Sequence, residues 1–142
     1  MKSLSLLFFI AIIFVATAAS AFCFDEAASE YDVPVDLLRA IARVESSMRV
    51  DALNWNNNGS YDFGVMQINS WWADRIGPEL WRQLGDPCTN VRVGAWILAQ
   101  CIERYDRTAR AVGCYNSSSP TRQVVYARRV LSVLAKNNAA TD

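Results

Sequence analysis

The chain has 142 residues, 52% of them hydrophobic, with 14 Lys plus Arg set against 14 Asp plus Glu and no histidine. This balance lacks the basic excess of a nucleic-acid-binding protein. The absence of histidine excludes Ser-His and Cys-His triads and, with no C-x-x-C pair, argues against a metal site; no cofactor is expected.

Residues 1–21 read as a secretory signal peptide. Lys2 gives a positive start, an apolar run follows from Leu4 to Ala19, and Ala19-Ser20-Ala21 supplies small residues for cleavage after Ala21. The apolar stretch is short for a membrane span, so no stable membrane insertion is expected after cleavage. Phe22 is too large for the small residue that precedes a lipidated cysteine, which argues against a lipoprotein at Cys23. Residues 22–142 are expected to form a single domain in the periplasm.

The exported part reads as mainly α. Phe24 to Tyr31 is a short helix candidate. Asp32-Val33-Pro34 signals the start of the next helix, along which Leu37, Leu38, Ile41, Val44, Glu45 and Met48 recur at helical spacing. Residues 49–63 are polar and turn-rich, and Asn58-Gly59 supports a small β-hairpin over about residues 53–63. Gly64 to Trp72 is expected to enter a short helix, and another is expected around Pro78–Leu84. A helix over Asn90–Tyr105, capped by Asn90, precedes a loop from Gly113 to Ser119. Pro120 opens the last helix, with Ser119 as its cap and Val124, Ala127, Leu131 and Leu134 as its apolar stripe.

Cys23, Cys88, Cys101 and Cys114 are even in number, and export predicts two disulfides. A helix over Asn90–Tyr105 puts Cys88 and Cys101 more than ~10 Å apart, beyond disulfide reach. Two pairings stay open: Cys23–Cys88 with Cys101–Cys114, and Cys23–Cys101 with Cys88–Cys114.

Glu45 is the candidate for chemistry. It sits at the edge of an apolar stripe, where partial burial raises a carboxyl pKa. An amide-rich segment follows it, and five Trp and five Tyr can pack the core or line a sugar groove.

The segments AIARVESSMRV (residues 40–50) and NNNGSYDFGVMQINSWW (residues 56–72) resemble the active-site region of the soluble lytic transglycosylase family. DPCTNVRVGAWIL (residues 86–98) and AVGCYNSS (residues 111–118) are similar to its small exported members, which accompany type III secretion, type IV secretion, conjugation and pilus systems. The resemblance implies a lysozyme-like fold. It also implies cleavage of the β-1,4 bond from N-acetylmuramic acid to N-acetylglucosamine, leaving 1,6-anhydromuramic ends. Peptidoglycan glycan strands and an envelope apparatus are the implied partners.

Carried over by position, Glu45 matches the catalytic acid and base, and Ser46 the serine after it. Gly64, Met66, Gln67 and Asn69 match the motif that shapes and lines the substrate cleft. Tyr115 matches the tyrosine whose hydroxyl holds the glutamate, and Asn116 its neighbour. Cys114 stands where many members carry a small residue. The same stretch is similar to animal C-type lysozyme, in which Asp62, 17 residues after Glu45, would complete a carboxylate pair for hydrolysis. The other alternative is a component that binds peptidoglycan without cutting it.

Overall fold

A computed structural model describes residues 22–139. The signal-peptide assignment to residues 1–21 lies outside the described residues. Among those described, no helix is long and apolar enough to cross a membrane. The elements in chain order are helices α1 (Phe24–Glu30) and α2 (Val35–Ser46), strands β1 (Leu53–Trp55), β2 (Tyr61–Phe63) and β3 (Ile68–Asn69), a 3-10 turn (Ser70–Trp72), and helices α3 (Ala73–Ile76), α4 (Pro78–Arg82), α5 (Pro87–Tyr105), α6 (Ala109–Asn116) and α7 (Pro120–Ala139). This is the expected mainly α, lysozyme-like architecture with a small antiparallel sheet.

The amphipathic helix α2 buries Leu37, Leu38 and Ile41. Two successive left-handed residues, Ser47 and Met48, turn the chain off its end, and their amides bond back to Arg43 and Ala42 carbonyls. Met48 therefore leaves the helix that was expected to contain it, although it still packs against the core. The expected hairpin gains a third strand. The sheet order is β1-β2-β3, pairing Asn54 with Asp62 and Asp62 with Asn69.

Three further expectations need correction. Asp86, not Asn90, caps α5: its carboxylate accepts from the Thr89 amide at 2.7 Å, and Pro87 occupies the first turn. Residues 113–116 are helical, because α6 runs on to Asn116 from a Thr108 cap. Gly113 sits within that helix where α7 comes closest; a Cβ there would lie 2.4 Å from the Gln123 carbonyl oxygen. Finally, α7 buries Gln123, Tyr126, Ala127 and Val130, while Val124 is 56% and Leu131 38% exposed. The helix packs against both α2 and α6, and the face between them is one that includes a glutamine and a tyrosine.

The core is built around Leu38, Ile41, Val65, Met66, Ile68, Leu84, Val91, Leu98 and Val130, all almost fully buried. The disulfides are Cys23–Cys88 and Cys101–Cys114. The first ties the N-terminal strand of chain to α5, and the second ties α5 to α6. Such bonds belong to a chain that folds outside the reducing cytoplasm. They span 65 and 13 residues of sequence. On chain entropy, Cys23→Ser with Cys88→Ser should cost about 4 kcal/mol, and Cys101→Ser with Cys114→Ser about 3 kcal/mol. Thermal unfolding of the two double variants against the oxidised protein checks both the losses and their order.

Candidate functional site

The site is organised around the main chain of Val65 and Met66, both fully buried. Buried peptide groups must find partners, and here three helices supply them. From α2, the Ser46 hydroxyl, the donor shared between two carbonyls, lies 2.8 Å from that of Val65 and 3.2 Å from that of Ala42. From α5, the Asn90 side chain accepts from the Met66 amide at 2.8 Å and donates to the carbonyls of Phe63 and Leu84. From α6, the Tyr115 hydroxyl donates to the Met66 carbonyl at 2.9 Å. Gly64 turns the chain into this clamp with φ of 81°, and a Cβ there would fall 2.1 Å from the Asn90 amide nitrogen. Only glycine fits both the conformation and the space.

Beyond the clamp, amides build the sheet wall of an open cleft. Gln67 is buried in a left-handed conformation. Its side chain donates to the carbonyls of Ala52 and Gly64, at 3.0 and 2.9 Å, and accepts from the Asn54 amide. Asn69 donates to Asp62 at 2.7 Å and accepts from the Trp71 amide at 3.0 Å. Asn56 donates to the other Asp62 oxygen at 2.9 Å. Asp62 is thereby held by amide donors from both neighbouring segments.

Glu45 stands on the helical wall, at the C-terminal end of α2. The Tyr126 hydroxyl of α7 donates to its Oε1, leaving Oε2 to carry a proton. Burial raises the Glu45 pKa to about 7; the Tyr126 hydrogen bond opposes that rise, the charge of Asp62 adds to it, and Arg129 opposes it. Tyr126 is pushed upward by burial and then by the Glu45 charge, so it remains a donor. Burial, followed by the charges of Glu45 and Asp62, raises Tyr115 in the same way. Glu45 also lines a cavity of about 320 Å³ with Asn116, Arg122, Tyr126 and Arg129. Near neutral pH this wall presents a carboxyl that both donates and accepts hydrogen bonds.

These positions revise the residue roles implied by resemblance. Tyr115 does not bond to Glu45; it holds the Met66 main chain, and Tyr126 holds Glu45. Ser46 and Met66 are buried and frame the cleft from behind, where no ligand reaches them. The side-chain polar groups of Gln67 and Asn69 are taken up within the protein. Glu45 and Asp62 are half-buried and Asn116 is exposed; Glu45 and Asn116 line one cavity, and Asp62 lies near enough for its charge to act on Glu45. Tyr126 and Asn90 escaped the sequence reading because each sits on a helix and looked like part of an ordinary face or cap. The available signal was a polar residue inside a helical stripe, Tyr126 three residues after Gln123. Among the described residues no cluster of acidic or cysteine side chains fits a metal.

The sequence profile of the family described as Transglycosylase SLT domain matches residues 22–127. Protein IpgF of Shigella flexneri is 36% identical over 118 residues, covering 81% of this chain and 78% of that protein. Invasion protein IagB of Salmonella typhi is 37% identical over 132 residues, covering 87% and 82%. X polypeptide of Escherichia coli is 35% identical over 120 residues, covering 78% and 71%. None of these relatives is named as an enzyme. The expectation of a glycan-cleaving lyase or glycosidase is corrected to that of a Transglycosylase SLT domain protein related to IpgF and the invasion protein IagB. The peptidoglycan-binding alternative is the reading that these relatives favour.

Two measurements test the site. Asn90→Leu keeps the branched side-chain shape but strands the Met66 amide and two carbonyls; urea unfolding should show a loss of about 3 kcal/mol. Between pH 4.5 and about 7 the folded state holds the Glu45 proton more tightly than the unfolded chain does. Stability should therefore fall as pH rises through that window, by on the order of 3 kcal/mol from this group. Melting curves from pH 4 to 8 should show that decline in the wild type and lack its Glu45 component in Glu45→Gln.

Proposed function

The chain belongs to the Transglycosylase SLT domain family, and on that premise we propose that it is a non-cleaving component that holds peptidoglycan glycan strands in the cleft between α2 and the sheet. One observation carries this reading: Glu45 and Asp62 are near enough for the charge of one to act on the other, and both keep unspent hydrogen-bonding capacity. On the helical side this capacity is the Oε2 of Glu45 and the exposed amide of Asn116. On the sheet side it is the outer lone pairs of Asp62, whose carboxylate is already oriented by Asn56 and Asn69. A glycan strand is uncharged along its sugar rings and rich in hydroxyl and N-acetyl groups. A half-protonated carboxyl suits such a ligand because it can give a hydrogen bond to one sugar oxygen or take one from a hydroxyl. Trp71 is 77% exposed beside Asn69 and offers a flat face to a pyranose ring.

In the same reading, residues 1–21 are a signal peptide removed after Ala21, and residues 22–142 work as one domain in the periplasm. The name of the Salmonella relative, an invasion protein, supports a place beside an envelope apparatus for secretion, with conjugation or pilus systems as related settings. A wall-bound subunit would anchor such an apparatus to the sacculus.

Co-sedimentation with purified sacculi tests the proposal. The wild-type protein should pellet saturably. Asp62→Ala and Asn116→Ala should each weaken binding about fivefold, the value of one hydrogen bond. Failure of the wild type to pellet would refute glycan binding. Release of soluble muropeptides by the wild type would refute the non-cleaving role.

A further inference from the structure

Charge is unevenly distributed along this neutral chain. From Ala109 to Ala139, through the whole of α6 and α7, there is no acidic residue, while Arg110, Arg122, Arg128, Arg129 and Lys136 are all basic. Elsewhere acidic residues are interspersed with the arginines, and four of those arginines form ion pairs. Arg39 pairs with Asp25 and Asp36, Arg82 with Glu79, Arg92 with Glu30 and Arg107 with Asp32. Arg110, Arg122 and Arg128 form no ion pair with a described residue.

Two of these unmatched cations border an apolar recess. It lies between α6 and α7, encloses about 620 Å³, and is lined by Ala109, Arg110, Val124, Ala127, Arg128 and Leu131, with Pro120 and Ser132 at its ends. Val124 and Leu131 remain exposed in it. Tyr105 carries the Arg110 guanidinium on its ring, 4.3 Å from the centroid, which fixes that charge at the rim without neutralising it. From Pro120 to Ser132 the recess follows α7 for about 18 Å, or roughly three helical turns.

We propose that this groove binds an acidic amphipathic helix of a partner protein, with the partner's apolar stripe on Val124, Ala127 and Leu131 and its carboxylates on Arg110 and Arg128. The floor asks for apolar side chains at helical spacing, and the rim asks for negative charge on the flanks of that stripe. A second copy of this chain does not supply such a helix. Its own acidic segment, α1, already buries Phe24, Ala27 and Ala28 in the core. The glycan cleft uses a different flank of α7, through Tyr126 and Arg129, so both sites can be filled together.

The probe is a fluorescein-labelled synthetic peptide of 14 residues, with leucines at i, i+3, i+4 and i+7 and glutamates on both flanks. Its control carries lysine at every glutamate position. Anisotropy titration should give saturable binding of the acidic peptide, at least tenfold weaker binding of the basic one, and weakening with added salt. Arg110→Glu with Arg128→Glu should invert the preference, so that the lysine peptide binds better; a misfolded variant would bind neither. Val124→Asp should weaken the acidic peptide at least tenfold, while pelleting with sacculi stays unchanged. Three results would each overturn the proposal: no saturable peptide binding, equal binding of the two peptides, or an uninverted preference in the double variant. Binding to anionic phosphatidylglycerol vesicles that displaces the acidic peptide would overturn it in favour of a membrane surface.

Discussion

Everything at the cleft depends on how the Val65–Met66 main chain is held. Ser46, Asn90 and Tyr115 come from three different helices and each takes a backbone group of this segment or its neighbours. A buried peptide group without a partner costs more than most single contacts contribute, so the clamp is satisfied fully or the segment moves. Its position then sets Gln67 and Asn69, the two side chains that pull the sheet wall together. The absence of a Cβ at Gly64 lets Asn90 reach all three of its partners. The Cys101–Cys114 bond adds a covalent restraint one residue before Tyr115. Structural chemistry thus accounts for much of a motif that, read along the chain, looked like a list of ligand contacts.

The two walls of the cleft solve opposite electrostatic problems. Asp62 is surrounded by amide donors that suit a carboxylate. Glu45 is set against apolar packing with one tyrosine donor, so burial dominates and its pKa rises to about 7. One carboxyl is kept as an acceptor by its neighbours, and the other is poised between donor and acceptor. That difference gives the two carboxyls complementary hydrogen-bonding roles. On the other flank of α7 the logic changes to unmatched positive charge around an apolar floor. One helix therefore separates two surfaces of distinct chemistry.

How much of this was legible depended on how local each feature was. The signal for α1, α2 and α5 was local: helical spacing, a proline start and apolar stripes. The hairpin was announced by Asn58-Gly59, but β3 was not, because two residues of strand have no period to read. The extension of α6 to Asn116 was hidden by Gly113 and a serine-rich stretch, both of which usually mark loops. The rotation of α7 was misread because the buried face carries Gln123 and Tyr126, whose polar ends are satisfied by Ser117 and Glu45. A hydrophobicity pattern cannot weigh a polar group whose partner is far along the chain.

By itself, then, the sequence determined a small, mainly α chain with a leader-like start, two disulfides' worth of cysteine, no histidine chemistry, and a family resemblance centred on Glu45 and the amide-rich segment after it. Those features reside in residue identity and short-range spacing. Only the tertiary structure decided between the two disulfide pairings, gave Tyr126 rather than Tyr115 the hold on Glu45, turned Asn90 from a cap into a buried clamp, and brought Arg110 and Arg128 to the rim of one groove. Each of these depends on the angle at which one helix faces another, across as many as 81 residues of chain. That angle is set by the packing of the whole core rather than by any segment alone.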